Sequence, residues 1–311
     1  MASSNLTSVT EFIFLGLSSR PELQVWLFLL FLMIYLMILL GNLIIVLLIA
    51  MSTSLHTPMY FFITNLSIIE VCYTSCVLPQ MLGHFFAKRK SISYVCCVTQ
   101  VYSFLSFGIA ECYILSVMAY DRYIAIRDPL RYSVTMNRSV CAGLVFLSWM
   151  GGFVGSMVAT VATFQLSFYR DNVINHFLCE MPSLFLLSCT DTSRAELTSQ
   201  VICIFTLVCP VIFITFSYAH IIKIVLRIRS AQGRRKSFST CSSHLLVVIL
   251  FFVTVMSLYM RPKSLYSPEK DKIVTVFYVA FTPILNPFIY SLRNKEVKIA
   301  LMKFLGKTRD T

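Results

Sequence analysis

Four charged residues stand within, or at the end of, long apolar stretches that otherwise carry no Asp, Glu, Lys or Arg. Glu70 and Glu111 lie within long apolar stretches, and Asp121 and Arg122 stand side by side where one of these stretches ends. A charge in hydrocarbon costs about 3 kcal/mol on insertion scales, so such residues usually serve a function. Two buried carboxylates can share a proton or hold a cation. An acid and a base at a membrane edge can receive a cytosolic partner.

The spacing of these residues predicts one continuous helix face. Glu111 and Arg122 are separated by about 1100° of helical rotation, roughly 20° past three full turns, and by about 16 Å along the axis. Phe104 and Gly108 extend the same face outward. Because an acid at membrane depth must face the bundle interior, the whole stripe is expected to point inward. For Phe104 and Gly108, ordinary helix packing explains the pattern as well as ligand contact does.

Composition identifies the elements that must position these residues. Of 311 residues, 57% are hydrophobic and 13% charged, and the mean hydropathy is +0.77. This balance predicts an all-α membrane protein, a seven-transmembrane helix bundle in a single domain, 1–311, with an N-terminus 1–22, a bundle 23–292 and a tail 293–311. Seven segments are long enough to cross the bilayer: Leu23–Ala50, Pro58–Phe86, Tyr94–Met118, Val140–Phe168, Leu197–Ile222, Ser237–Met260 and Ile273–Leu292.

The net charge of +12 follows the predicted topology. With the N-terminus outside, 16 Lys and Arg lie on the cytoplasmic side against 10 outside, as the positive-inside rule expects, although Lys88-Arg89-Lys90 argues the other way. The basic excess therefore does not indicate nucleic acid. We expect a multi-pass plasma-membrane protein with an extracellular N-terminus and a cytoplasmic C-terminus.

The N-terminal segment supports this orientation. Asn5 begins an Asn-x-Thr sequon that can be glycosylated only on the luminal side. No cleavable signal peptide is apparent in Met1–Pro21, so the first span is expected to act as the signal anchor.

Several short motifs occur in order at the ends of the predicted spans. They are Gly41-Asn42, Leu55–Tyr60 (LHTPMY), Met118–Tyr123 (MAYDRY), Pro129–Tyr132 (PLRY), Ser217-Tyr218, Lys236–His244 (KSFSTCSSH) and Pro283–Asn294 (PILNPFIYSLRN). With these motifs the chain resembles the rhodopsin-like G-protein-coupled receptors and, among them, the olfactory receptors. The likeness extends over nearly the whole chain.

The resemblance implies roles in activation. Asp121 would hold Arg122 at rest, and Arg122, once freed, would contact the G protein. The residues expected to carry coupling and activation are Asp121, Arg122, Tyr123, Tyr218, Asn286, Pro287 and Tyr290. Pro210 and Pro287 are candidate bending points, although prolines in membrane helices also occur without motion.

The two buried acids are expected to lie near Asn42 and Asn286. By resemblance to the sodium site of related receptors, Na⁺ or a shared proton between Glu70 and Glu111 would stabilise the inactive state. Two separately satisfied polar residues are the alternative.

The resemblance also implies a ligand pocket in the outer half of the bundle. The expected contacts are Phe104, Leu105, Gly108, Ile109, Cys203, Thr206, Val255, Tyr259, Val276 and Val279. The set is mostly apolar, with Thr206 and Tyr259 as hydrogen-bonding groups, which suits a small volatile odorant. An amine receptor would carry Asp at Phe104, and a retinal protein would carry Lys near Ala280.

The cysteines and the tail carry further expectations. By resemblance, Cys97 pairs with Cys179. Cys189 lacks the usual family partner, because Tyr169 stands at that position; it either pairs with Cys96 or remains free and buried. The alternation of Lys and apolar residues in Asn294–Leu305 predicts a short amphipathic helix on the inner leaflet.

Two departures from the family pattern affect activation. Arg127 stands where Cys is usual, and Phe252-Val253 stand where Tyr-Gly is common. The function expected is an odorant receptor that activates a stimulatory, olfactory-type heterotrimeric G protein and raises cAMP. The alternative is a transporter or channel that uses Glu70 and Glu111 as an ion path, although no duplicated halves appear. No nucleophile and base combination suggests an enzyme.

Overall fold

The computed structural model of the chain describes residues 9–18, 20–168, 172–227, 230–261, 267–293 and 295–304. Within these residues seven helical segments form the bundle. They are helix one, Pro21–Met51; helix two, Pro58–Ser75 and Leu78–Phe86; helix three, Tyr94–Arg127; helix four, Arg138–Phe164; helix five, Ser193–Cys203, Ile204–Val208 and Cys209–Leu226; helix six, Ala231–Tyr259; and helix seven, Pro268–Val276, Phe277–Phe281 and Thr282–Arg293. A C-terminal helix, Lys295–Phe304, follows.

The outer faces of the helices are apolar. Helices one to five are each long and apolar enough to cross a membrane, and the His244–Tyr259 part of helix six is apolar but shorter. Trp26, Leu147 and Phe216 are among the large apolar side chains left exposed, at 71%, 65% and 64%. In a bilayer such side chains contact lipid, so the predicted seven-helix membrane bundle is confirmed.

The ends of several helices differ from the ends of the predicted membrane spans. Helix three continues to Arg127 rather than ending at Met118, so Asp121 and Arg122 lie inside a helix. Helix seven begins at Pro268, ahead of the predicted Ile273, and helix four ends at Phe164, before the predicted Phe168. Hydropathy detects where lipid ends, whereas a helix ends where its backbone hydrogen bonds end.

Three helices contain breaks near prolines. Helix two is interrupted between Ser75 and Leu78, just before Pro79, and helix five has a π turn at Ile204–Val208, just before Pro210. Helix seven has a π turn at Phe277–Phe281, followed by Pro283. Proline lacks a backbone N–H, and a π turn inserts an extra residue into the helical register. The side chains that face the bundle therefore change at each break.

Close packing holds the centre of the bundle together. A Cβ at Gly152 of helix four would collide with the backbone oxygen of Ser106 on helix three, and the Ser106 and Ser156 hydroxyl oxygens are 2.5 Å apart. A Cβ at Gly41 of helix one would lie 3.2 Å from Cβ of Pro287. Small residues at these crossings let the helix backbones approach closely.

A small sheet covers the outer end of helix three. Strand β1, Glu11–Phe14, pairs antiparallel with β2, Ser91–Ser93, and parallel with β3, Val173–Ile174. Phe12 and Phe14 of β1 are almost fully buried. The sheet joins the N-terminal segment to the loop after helix four, which lies over the bundle.

The C-terminal helix packs against the inner end of the bundle. Val297 and Ala300 are buried, whereas Ile299 and Met302 are exposed. The Tyr60 hydroxyl of helix two donates a hydrogen bond to Oε2 of Glu296, at 2.7 Å. The short amphipathic helix expected after the seventh span is therefore present.

Candidate functional site

A cavity lies in the outer half of the bundle, among helices three to seven. The space between its walls, including the part open to solvent, is about 480 Å³. The walls are formed by Phe104, Leu105, Gly108, Ile109, Cys112, Ala159, Met181, Ser199, Ile202, Cys203, Thr206, Leu207, Val255, Tyr259 and Tyr278. Pockets that hold small organic molecules are mostly apolar with a few placed polar groups, and this cavity has that character.

Eight of the ten residues expected to contact ligand line this cavity. They are Phe104, Leu105, Gly108, Ile109, Cys203, Thr206, Val255 and Tyr259. Val276 and Val279 lie outside the lining, and helix seven contributes Tyr278 instead. The π turn at Phe277–Phe281 explains the difference, because it shifts the register that a regular helix would give.

The other wall residues were not expected from the sequence. Cys112 and Ser199 stand one helical turn from Gly108 and Cys203, so a 3.6-residue period could have found them. Ala159 of helix four and Met181 of the outer loop carry no such signal. Their position depends on how distant segments pack.

The wall offers few hydrogen-bonding groups. The Thr206 hydroxyl donates to the Ile202 carbonyl oxygen at 2.9 Å, so it can only accept a hydrogen bond from a ligand. The phenols of Tyr259 and Tyr278 are the larger polar groups on the wall. The cavity is therefore suited to molecules with little polarity.

The loop between helices four and five forms the roof. Cys97 of helix three is disulfide-bonded to Cys179, as the resemblance implied. The Cys179 N–H donates to Oε1 of Gln100 at 2.8 Å, which fixes the loop at the residue before Glu180. The short helix Met181–Leu186 follows, and Met181 reaches the cavity.

The expectations for the remaining outer cysteines are corrected by the structure. Cys96 and Cys189 are both free, so the pairing considered between them is absent. Cys189 is exposed rather than buried, and its thiol donates to the Ser167 carbonyl oxygen at 3.2 Å. A residue outside the apolar spans gives little sequence signal for burial.

A buried cluster of ionisable groups joins the roof to helices six and seven. Arg261 forms two hydrogen bonds with the Asp271 carboxylate, and Nε2 of His176 lies 3.4 Å from Oε1 of Glu180. His176, Glu180 and Asp271 are almost fully buried, and Lys272 is 5% exposed. This cluster was not predicted from the sequence, because it brings together residues from separate segments.

Burial sets the charges in this cluster. Desolvation, reinforced by the nearby Asp271 charge, raises the pKa of Glu180 to about 8, although Ser183 and Arg261 act in the opposite direction. Desolvation, reinforced by Lys272, lowers the pKa of His176 to about 3. At neutral pH the Glu180 and His176 side chains are therefore mainly uncharged.

The two membrane acids lie deep in the bundle. Glu70 and Glu111 are 0% and 1% exposed, and the Asn286 amide donates to Oε1 of Glu70. Oε2 of Glu70, Oε1 of Glu111 and the amide oxygens of Asn42 and Asn286 are buried without hydrogen-bond partners among the described residues. Buried carboxylates of this kind require a proton or a cation.

The inner end of helix three shows contacts that the resemblance did not imply. Oδ1 of Asp121 accepts a hydrogen bond from the Tyr132 hydroxyl at 2.8 Å. Among the described residues no ion pair joins Asp121 to Arg122, and Nε of Arg122 is buried without a hydrogen-bond partner. The expected hold of Asp121 on Arg122 is therefore absent as a direct contact.

Other activation residues also have defined surroundings. The Tyr218 hydroxyl is 2.7 Å from Nδ1 of His244, on helix six. Nη1 of Arg127 donates to the Tyr123 hydroxyl at 2.6 Å, so this departure from the family acts on the Asp-Arg-Tyr motif itself.

Three further expectations concern Phe252-Val253, Tyr290 and Asn5. Val253, the second departure, is 64% exposed and faces outward, whereas Phe252 is buried. The side chain of Tyr290 and the whole of Asn5 lie outside the described residues.

Comparison with protein families identifies the chain. A family model described as olfactory receptor matches residues 31–308. The chain belongs to the olfactory receptor family. It is 50% identical to olfactory receptor 5I1 of Homo sapiens over 308 residues, covering 99% of this chain and 98% of that protein. It is 47% identical to olfactory receptor 5AR1 of Mus musculus over 307 residues, covering 99% of both.

The fold of this olfactory receptor also has a solved counterpart. The crystal structure of squid rhodopsin superposes with a TM-score of 0.72 at 17% sequence identity, over 93% of this chain and 87% of the other. The family and the fold together make this a multi-pass plasma-membrane receptor of the G-protein-coupled class and not an enzyme.

Proposed function

We propose that this olfactory receptor binds small, mostly apolar volatile molecules in the outer cavity and responds by activating a stimulatory, olfactory-type G protein, which raises cAMP. The observation that carries the proposal is the cavity itself, whose wall is almost wholly apolar and lies on the same helix three face as Arg122. Transfer of an apolar volatile from water to such a wall is favourable.

The odorant would contact the wall on several helices at once. Phe104, Gly108 and Ile109 form the helix three side, and Cys203 faces them from helix five. Val255 and Tyr259 complete the helix six side, so a ligand would connect the helices whose relative movement defines the active state. A ligand shifts the equilibrium between the inactive and active states only by its differential affinity for the two states.

Transmission to the G protein would depend on Arg122. In the described conformation Tyr218 is engaged by His244, so its contact with Arg122 requires helix six to move relative to helix five. Such movement would open the inner face, with Pro287 as a bending point in helix seven. Asn286, Tyr290 and Tyr123 would form the rest of this inner network.

Glu70 and Glu111 would adjust the equilibrium between the inactive and active conformations by holding a cation or a proton. Their unpartnered oxygens, with those of Asn42 and Asn286, fit either Na⁺ or a shared proton, because both supply positive charge to oxygen ligands. Occupancy would favour the inactive conformation. The charge pattern and the Cys97–Cys179 bond, which requires an oxidising exterior, support an extracellular N-terminus with glycosylation at Asn5.

Ligand-dependent cAMP production tests the proposal. In cells that express the receptor, a volatile library should include activating compounds, and Arg122→Ala should reduce the maximal response at least ten-fold while surface expression is retained. Arg131→Ala, an exposed arginine on the same inner side, is the matched control. Ligand-dependent ion flux that survives Arg122→Ala would instead support the transporter or channel alternative.

A further inference from the structure

One wall residue of the cavity, Tyr278, is held unusually firmly. It is 3% exposed, and its ring contacts Tyr73 of helix two with centroids 4.9 Å apart. Phe104 of helix three and Phe251 of helix six pack edge-on against it, at 5.8 and 5.7 Å. Aromatic rings from three other helices therefore fix the direction of its hydroxyl group.

The hydroxyl group of Tyr278 reaches across the bundle to helix three. A Cβ at Gly108 would lie only 2.6 Å from this oxygen, closer than such atoms can approach. Gly108 therefore leaves the space that the hydroxyl group occupies. Both residues line the cavity, so the hydroxyl lies at the wall.

Other buried polar groups surround this hydroxyl. The Tyr73 hydroxyl is fully buried and interacts with the Tyr278 hydroxyl, and Oε1 of Glu111 is fully buried and has no hydrogen-bond partner among the described residues. Glu111 interacts electrostatically with the phenols of both Tyr73 and Tyr278. A buried polar group without a partner is uncommon, because its lost hydration is not replaced. Neither Tyr73 nor Glu111 lines the cavity, so Tyr278 is the residue that presents this polar region to the wall.

The available groups favour one ligand chemistry. Thr206 already donates its hydroxyl proton to the backbone, so it can offer only acceptor electron pairs to a ligand. The Tyr278 hydroxyl accepts a hydrogen bond from the Tyr73 hydroxyl, which leaves its own proton available to the cavity. An odorant oxygen that accepts a hydrogen bond, as in an aldehyde or ketone, would satisfy it.

We propose that the Tyr278 hydroxyl, admitted by Gly108, donates a hydrogen bond to a carbonyl oxygen of the odorant and is a specificity-determining residue of this receptor. The inference rests on the proposed function, since it requires an odorant in the cavity. It adds the chemical class of that odorant, a volatile carbonyl compound.

Pairs of ligands that differ in a single group test the hydrogen bond. In acetophenone and α-methylstyrene, or octanal and the terminal alkene nonene, a carbonyl oxygen is replaced by a methylene group. Dissociation constants come from the thermal stabilisation of the full-length receptor in lipid nanodiscs across a concentration series. We expect the carbonyl member of a pair to bind roughly 2- to 10-fold more tightly, and Tyr278→Phe to abolish that preference.

The matched control is Tyr113→Phe, whose ring packs against Gly151 between helices three and four rather than on the cavity wall. It should retain the preference. Equal binding within the pairs, or a carbonyl preference that persists in Tyr278→Phe, would overturn the proposed hydrogen bond while leaving the odorant receptor function intact. If no volatile binds at all, the proposed function fails, and this inference fails with it.

A second measurement needs no ligand. Gly108→Ala should lower the thermal unfolding midpoint, because the new methyl group meets the Tyr278 hydroxyl. Combining it with Tyr278→Phe should recover most of the loss. If Gly108→Ala is equally damaging in both backgrounds, the hydroxyl does not lie against Gly108 and the proposal is wrong.

Discussion

At the scale of single residues, the bundle depends on positions where a side chain must be absent. Gly152 meets a backbone oxygen of helix three, which cannot move as the tip of a flexible side chain can. Gly143, on the same helix, has no atom within 4 Å of where its Cβ would be. Alanine substitution at Gly152 therefore changes both the helix contact and the helix propensity, whereas substitution at Gly143 changes the helix propensity alone.

Gly152→Ala should destabilise the receptor by about 1–3 kcal/mol, because helices three and four must separate to admit the methyl group. Gly143→Ala should be neutral or slightly stabilising, since alanine is the better helix former by about 1 kcal/mol. Thermal unfolding in nanodiscs measures both. Equal midpoints for the two variants would contradict the close helix crossing.

At the scale of elements, the outer loop is attached to the bundle by the buried ionisable cluster. Glu180 begins the short loop helix, whose first residue, Met181, lines the cavity. Around Glu180 lie His176 and Ser183 of the loop, Arg261 after helix six, and Asp271 of helix seven; Tyr259 and Lys272 complete the set. The protonation of this cluster therefore affects the roof of the cavity.

The receptor should lose stability as the pH rises from 6.5 to 8.5. An unfolded glutamate titrates near its ordinary pKa of 4.5, whereas Glu180 titrates at about 8, so the folded state binds the extra proton in this window. Each pH unit below 8 corresponds to about 1.4 kcal/mol at most. The pKa of His176 is about 3, so His176 reduces the stability of the receptor only when the pH falls below 6.5, the ordinary pKa of histidine.

The unfolding midpoint as a function of pH checks this expectation, and Glu180→Gln should reduce the slope of the profile between 6.5 and 8.5. Glu22→Gln is the control, because Glu22 is an exposed carboxylate in the first turn of helix one. An unchanged slope in Glu180→Gln would show that another group carries the pH dependence.

Sequence periodicity predicted elements better than it predicted contacts between them. The inward stripe from Phe104 through Gly108 to Glu111 is confirmed by burial, because one helical period determines it. Tyr278 was missed because a π turn changes the register without a clear sequence signal. The cluster around Glu180 and the Tyr132 bond to Asp121 were missed because they join separate segments.

At the scale of the whole molecule, the disulfide fixes the outer loop over the bundle. Cys97 and Cys179 are 82 residues apart in sequence, and between them run most of helix three, all of helix four and β3. Cross-links that close long loops restrict the unfolded chain most, by about 4–5 kcal/mol for a loop of this length in the chain-entropy model.

Cys97→Ser should therefore greatly reduce surface expression and lower the unfolding midpoint. Cys96→Ser provides a control at the adjacent residue, because Cys96 is free and exposed. Quantitative labelling of intact cells, followed by unfolding of the purified protein, measures both effects. Comparable losses for the two variants would indicate that the bond contributes little.

The three-stranded sheet has a consequence for biosynthesis. Strand β1 is made first, yet its parallel partner, β3, leaves the ribosome only after helices one to four. The N-terminal strand can pair with β2 once helix two has been made, but the three-stranded sheet stays incomplete until the loop after helix four follows. Completion of this sheet is thus a late event in assembly, and it requires that β1, β2 and β3 all reach the same side of the membrane.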